Sequence, residues 1–397
     1  MWLEILIVSF IGMVFGIFTG LFPGIHVNLV AITILTSSSF FLRYFSPTIL
    51  AAFLVSMAIT HTFLDVLPAI FLGVPEEETA LSILPGHEMI LKGKGYEAVK
   101  LTVIGSLFGL FIILLITPLY LLFLPKYYIL LHHSMAYILI VVSGFLILKD
   151  KKRLFAFFIF LLAGILGIFT LDFHLIKQPL FPLLTGLFGT SLLSISFLKK
   201  VKIPKQNFKT ERKIKGFWSA LLASIISGSL VSFLPGLGAS QGAIIGISFT
   251  KLSRKAFLVL LGAISTITMG LGFVALYAIA RPRHGVAVTV GKLLEYFSFQ
   301  HLLLLLSVML FVGGLAVFIT LALAKVFVKN IYKFNYSKLS IFILCLLVIL
   351  SIIISGWYSL LVLLTGTALG ITASLLGVKK MHLMGCLILP VIFFFLI

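Results

Sequence analysis

Apolar runs of about 18 residues or more follow one another along most of the chain, each long enough to cross the hydrocarbon core of a bilayer. Their spacing predicts a broken hairpin at 4–43, then crossings at about 48–73, 97–123, 127–148, 153–171 and 179–198. A polar, basic linker follows at 199–215. A second broken hairpin at 216–250 precedes crossings at about 256–280, 298–324, 338–355, 357–376 and 381–397. The pattern is that of an all-α polytopic membrane protein, a multi-pass protein of the cell membrane. The run opening at Met1-Trp2-Leu3-Glu4 lacks a basic stretch and a small-residue cleavage site, so it reads as part of the fold, not a signal peptide.

Two of the runs are interrupted in the same way. The first contains Gly16-Ile-Phe-Thr-Gly20-Leu-Phe-Pro23-Gly24-Ile-His26-Val-Asn28, and 212 positions further on stands Gly228-Ser-Leu-Val-Ser232-Phe-Leu-Pro235-Gly236-Leu-Gly238-Ala-Ser240-Gln241. Gly16, Pro23 and Gly24 fall on Gly228, Pro235 and Gly236 without a gap, and Gly20 falls on the small Ser232. A break repeated in register divides the chain into a first repeat at 1–198, the linker 199–215 and a second repeat at 216–397. Each repeat is a Pro-Gly broken, re-entrant hairpin plus about five transmembrane helices. Leu183-Leu-Thr185-Gly186 also resembles Leu363-Leu-Thr365-Gly366, although the two fall in the fifth and fourth crossings of their halves.

Composition agrees with the runs and charge orients them. The chain is 61% hydrophobic and 10% charged, with a mean hydropathy of +1.25, whereas a soluble domain carries roughly 25% charged residues. The net charge of +19 does not point to nucleic acid. Eight of the 30 basic residues, Lys199 through Lys215, sit in the linker, and others sit at 149–153, 251–255, 325–333 and 379–380. That is the positive-inside distribution, with added attraction to membrane lipids. Threading from the basic loops places Pro125-Lys126, the 172–178 loop and the N-terminus outside. The first hairpin then opens outward and the second inward, so the two repeats are of inverted topology. The cysteines, Cys345 and Cys386, lie in apolar runs and indicate neither a disulfide framework nor a thiolate metal site.

Proline removes a backbone donor and glycine tolerates conformations that other residues avoid, so a Pro-Gly pair breaks a helix. The freed N–H and C=O groups must face protein or a watery cavity, where N–H groups at a half-helix start suit an anion. The residues around and after the breaks, Gly24, His26 and Asn28 in one copy and Gly236, Gly238, Ser240 and Gln241 in the other, are the candidate substrate site. The bland alternative is a kink that lets helices pack closely. His61 and Asp65 lie four apart on one helix face inside an apolar run, which makes them candidates for coupling to H⁺ or Na⁺; a packed structural pair is the alternative. Of 11 acidic residues six fall between 65 and 97. Glu76 and Glu77 after Pro75 read either as coupling residues or as an ordinary helix start. In the second half Arg281 and Arg283 hold the corresponding place, and their guanidinium forks suit a carboxylate or phosphate; a basic headgroup loop is the alternative. His132-His133 reads as interfacial. No catalytic or cofactor motif is present.

Three elements resemble the large permease of the tripartite tricarboxylate transporters, the TctA-like family. They are Gly16 to Gly24, then Phe233-Leu-Pro235-Gly236-Leu-Gly238-Ala, and the order Gly73-Val-Pro75, Leu84-Pro85-Gly86-His87-Glu88-Met89, Lys92-Gly93-Lys94-Gly95-Tyr96-Glu97-Ala98. Glu76-Glu77-Glu78 and Arg281-Pro282-Arg283 stand where the family has small residues. The resemblance implies secondary uptake of carboxylates driven by a cation gradient, a symport. It further implies a small membrane subunit and an extracytoplasmic solute-binding protein as partners.

The residues lead to a secondary active transporter of a small organic anion, which the resemblance implies is di- or tricarboxylate-like, with no cofactor beyond a coupling Na⁺ or H⁺. Its site is expected between the two hairpins near the midplane. A transporter or flippase of polyprenyl phosphate is the alternative, and a homodimer is left open. A membrane-embedded enzyme or a scaffold is disfavoured by the missing motifs and by the polar breaks.

Overall fold

The computed structural model describes residues 2–22, 27–73, 81, 83–198, 203–211, 213–233, 238–282, 284–331 and 336–396, and among them every regular element is helical. Helix α1 (Trp2–Leu21) ends just before the first break, and α2 (Val27–Thr36) and a single turn, α3 (Ser38–Phe41), follow it. Helix α4 (Pro47–Leu64) has Pro47 at its first position and a Ser46 hydroxyl that accepts the Ile49 N–H, a common helix start. It continues past Asp65 into α5 (Val66–Leu72), which stops at Gly73 with φ +70. The left-handed φ is one that glycine adopts without cost. A short α6 (Ile83–Leu91) precedes α7 (Gly95–Leu148).

The predicted crossings at 97–123 and 127–148 are one run of helical residues, α7, with Pro118 and Pro125 inside it rather than in a loop. A straight helix of this length would reach about 80 Å. Yet its two ends lie at the same end of the molecule. Gly95 sits beside Gln206 and Phe71, close to Glu97, which pairs with Lys255. Asp150, just past the other end, bonds His382, two residues from Lys380, which lines a cavity together with Arg254. The run therefore folds back on itself in two arms, and the separation that the apolar pattern predicts falls at a bend inside the helix.

Helix α8 (Arg153–Asp172) is followed by α9 (Leu180–Leu184), a π-helical turn at Thr185–Thr190 and α10 (Ser191–Leu198). The linker lies extended over residues 203–211. Beyond it come α11 (Phe217–Phe233), α12 (Ala239–Phe249), α13 (Arg254–Ile279), α14 (Gly285–Leu294) and α15 (Phe299–Asn330). The chain closes with α16 (Tyr336–Ser355), α17 (Ser359–Leu375), a 3₁₀ turn (Lys380–Met384) and α18 (Gly385–Leu396). Among the described residues six helical stretches are long and apolar enough to cross a membrane. They are α1, α4 with α5, the first arm of α7, α8, α13 and α15. Leu115, Phe169, Trp218, Phe318 and Leu375 are among the large apolar side chains left exposed, as expected where lipid is the solvent.

Small residues set the packing, because without a side chain two helix backbones can approach closely. Gly12 lies against Phe53 and Ser56, Gly16 against Met57 and Thr60, and Gly20 against Leu64, so α1 and α4 run side by side in the same sense. Gly216 lies by Ala256 and Gly228 by Ile267, giving α11 and α13 the same relation. Gly242 meets Val231 and Ser227, and Gly246 meets Ser227 and Ala223, so α12 lies along α11 in the opposite sense. The first arm of α7 runs with α13: Gly105 abuts Val259, Gly270 abuts Ile113, and the Ser106 hydroxyl donates to the Gly262 carbonyl at 3.1 Å. Helix α15 runs with α1 and α4, the Phe10 ring meeting Phe311 and the Phe71 ring stacking on Phe327. Helices α4 and α13 are buried on nearly every face and form the centre.

The second arm of α7, α8, α9, α10 and α16 to α18 pack beside this centre. The two Leu-Leu-Thr-Gly segments meet there. Gly186 lies on Gly366, and the Thr190 and Thr367 hydroxyls are 2.5 Å apart.

The basic loops gather at one end. The extended linker is pinned there by Gln206, whose side chain accepts the Gly95 N–H and donates to the Ile90 carbonyl. Lys255 pairs with Glu97 and Glu211, Arg254 with Glu88, and Lys152 donates to the Leu376 carbonyl. At the far end the Lys177 N–H donates to the Ser355 carbonyl and Phe173 meets Tyr358.

Candidate functional site

The first break is approached by the last turn of α1, where Thr19 and Gly20 face α4. The Thr19 hydroxyl stands 3.2 Å from His61 Nδ1, and Gly20 is pressed against Leu64. Asp65 is the junction of α4 and α5, its N–H donating to the His61 carbonyl at 2.9 Å. His61 and Asp65 are 1% and 3% exposed. These two coupling candidates are thus deeply buried against the last turn of α1. Pro23, Gly24 and His26 lie outside the described residues, as do Glu76, Glu77, Pro235, Gly236 and Arg283.

Asn28, on the first turn of α2, reaches the second half of the chain. A Cβ added to Gly285 would fall 2.8 Å from Asn28 Oδ1, so the absence of a side chain at Gly285 is what lets the two elements touch. Gly285 opens α14, and His284 caps it. His284 Nδ1 accepts the Ala287 N–H at 3.2 Å, which leaves Nε2 as the protonated nitrogen, donating to the Met269 carbonyl at 3.1 Å. The ring is therefore the neutral tautomer, braced against Phe273. Before it, Ala280 turns the chain with φ +51 and Arg281 is exposed. The capping role of His284 was not legible beforehand, because the usual cap signals are serine, threonine, aspartate and asparagine.

The second break leads into α12. Gly238 holds the cap position, and its N–H donates to Gln241 Oε1 at 2.8 Å. Ser240 and Gln241 are 0% and 1% exposed. Among the described residues the carboxamide nitrogen of Gln241 has no hydrogen-bond partner. A buried donor left unmet costs about 1–3 kcal/mol, and a carboxylate oxygen is the acceptor that would best relieve it. Of the two predicted sets, Asn28 thus meets the start of α14 and Gln241 closes the cap of α12.

The profile of the tripartite tricarboxylate transporter TctA family matches residues 6–385. The chain belongs to that family. An uncharacterised protein of Methanocaldococcus jannaschii is 32% identical over 409 residues, covering 97% of this chain and 98% of its own length. No solved structure matches. The family is one of membrane transporters, not enzymes, and it carries small anions with the help of partner proteins. The chain is accordingly a multi-pass membrane permease component.

The family-like stretch from Lys92 to Ala98 does structural work here. Gly93, with φ +74, makes the turn into α7 and its carbonyl takes the Asn207 N–H, while Glu97 is buried against Lys255. Among the described residues no cluster of three His, Cys, Asp or Glu could hold a metal. Lys379, Lys380 and Arg254, read as loop charges, and Glu88, quoted only within the family-like stretch, line one cavity with apolar walls. The sequence scatters its lining over four distant segments, so no local signal announces it.

Proposed function

We propose that the chain is the permease of a secondary active transporter that moves a small di- or tricarboxylate-like anion across the cell membrane, coupled to H⁺ or Na⁺. The anion sits between the two Pro-Gly breaks, received by Gln241, Ser240 and the N–H groups opening α12 on one side and by Asn28 with the Arg281–Gly285 segment on the other. The observation that carries this reading is the unmet, buried donor of Gln241 at the mouth of a broken helix, in a chain of the TctA family. Asp65 and His61 are the coupling pair. Family membership favours a carboxylate over a lipid phosphate.

The architecture we infer is an inverted-topology repeat, with halves at 1–198 and 216–397 joined by the linker 199–215. Its support is the matched run of helices: α1 and α4 run with α15, whereas α11 and α13 run with the first arm of α7. The return of α12 along α11 supports the second hairpin, opening towards the basic end, which positive-inside places in the cytoplasm. The first hairpin and the N-terminus then lie outside. A small membrane subunit and an extracytoplasmic binding protein are the partners by family.

The reading is tested by unfolding temperature in detergent with citrate, succinate or polyprenyl phosphate, each with and without Na⁺. Citrate or succinate should raise the midpoint, and Na⁺ or lower pH should enlarge the effect. Stabilisation by polyprenyl phosphate alone would refute the carboxylate.

A further inference from the structure

At the basic end a cavity of about 290 Å³ opens between α6, the π-helical turn with α10, the end of α12, the start of α13 and the turn before α18. Its walls are mostly apolar, with Phe188, Leu192, Phe257 and Met381 facing one another across it. Its edge is charged. Arg254 is occupied by Glu88, and Lys379 is exposed. Lys380 differs from both. Its ammonium donates to the Ser191 hydroxyl at 3.2 Å, and among the described residues no carboxylate pairs with it. A cation drawn out of water towards an apolar wall, with only a neutral hydroxyl for company, is costly until an anion joins it.

We propose that this cavity is an anion-binding site of its own, taking an organic carboxylate that carries a compact apolar body, with Lys380 as the charge partner and the Phe188–Phe257 wall as the seat for the body. The volume admits one aromatic or short-chain acid, and a highly charged tricarboxylate would leave carboxyl groups unpaired against the apolar wall. The site is distinct from the paired breaks, and its ligand comes from the side the basic loops face.

The surroundings of Lys380 fix how binding depends on pH. Burial pushes the Lys380 ammonium down to about 8. On α6, His87 faces it and is held neutral, pushed down to about 4 by burial first and by the Lys380 charge second. Glu88 on α6 is tied to Arg254 of α13. On its own turn stand Lys379 and His382, the latter bonded to Asp150 at 3.1 Å. Lys380 is thus the group that titrates between pH 7 and 9. The bound carboxylate needs the protonated lysine, so affinity is flat below about pH 8 and falls about tenfold per unit above it.

The test is calorimetric titration of the purified full chain with benzoate between pH 6.5 and 9.5, with benzamide as the neutral isostere and acetate as the charge without a body. Benzoate should bind, with benzamide and acetate each at least about tenfold weaker. Lys380→Met should weaken benzoate at least about tenfold, while Lys380→Arg should bind and lose the fall above pH 8. Unchanged benzoate affinity in Lys380→Met, equal affinity for acetate, or no benzoate binding to the parent would overturn the proposal. Citrate stabilisation measured in the same samples separates this site from the paired breaks. Its loss on Gln241→Leu with benzoate binding intact marks two independent sites.

Discussion

Gln241 joins the fold to the proposed site. Its oxygen closes the cap of α12 and, among the described residues, its nitrogen is left buried without an acceptor. Replacing it with leucine removes both the cap and the unmet donor, two effects of opposite sign and each of about 1 kcal/mol. Gln241→Leu should therefore unfold within a few degrees of the parent while citrate stabilisation falls at least about tenfold in apparent affinity. A large loss of stability with binding intact would make Gln241 a cap and nothing more. Asp65→Asn should leave citrate binding in place and remove the pH or Na⁺ dependence of flux; a flux that keeps its dependence refutes the coupling role.

The Asp150–His382 pair gives a residue-scale prediction about pH. Burial raises the Asp150 carboxyl, but the Lys152 N–H and the His382 ring outweigh it and hold it below the usual range. Burial lowers His382, with Asp150 restoring only part. Protons favour the unfolded chain at both groups, so stability present at pH 7 is lost as pH falls below the ordinary histidine value of 6.5. His382→Gln should flatten the decline in unfolding temperature between pH 7 and 5. An unchanged slope would count against the pair as its source.

At the scale of the elements, contact between backbones governs. A Cβ on Gly105 would fall 2.1 Å from the Val259 carbonyl oxygen, whereas one on Gly144 meets nothing within 4 Å. Gly105→Ala should destabilise the protein by about 1–3 kcal/mol by forcing α7 from α13. Gly144→Ala should be neutral or stabilise by up to about 1 kcal/mol, as alanine does in a helix interior. Thermal unfolding of the two variants side by side checks both. The apolar runs made most helices legible, because lipid demands long continuous helices. Pro125 misled: a proline predicts a loop, yet a helix can carry one where the chain bends. Helices α6 and α14 were missed, since each is too short to stand out from the turns beside it. The two Leu-Leu-Thr-Gly segments looked misplaced in sequence and turn out to pack on each other, a relation that spacing alone does not encode.

At the scale of the whole molecule, charge and repetition speak together. The basic loops, read as one side of the membrane from their distribution, do gather at one end of the structure, pinned by Gln206, Glu97 and Lys152. The Pro-Gly pairs themselves lie outside the described residues; what is described is that α1 stops at Leu21 and α11 at Phe233, just ahead of each pair. What the sequence did not yield was the contact of Asn28 with Gly285, or the cavity around Lys380, since both join residues far apart along the chain. If the halves are inverted, cysteines placed at Tyr44 and Lys205 should label from opposite sides of sealed vesicles; labelling from one side would rule the inversion out.

The central claim is that the two breaks hold one transported anion. Uptake of labelled citrate into proteoliposomes bearing an inward Na⁺ and proton gradient, with the family's partner proteins supplied, measures it directly. The parent chain should accumulate citrate, and Gln241→Leu and Asn28→Ala should each slow uptake at least about tenfold while remaining folded. Parental uptake by both variants would contradict the claim.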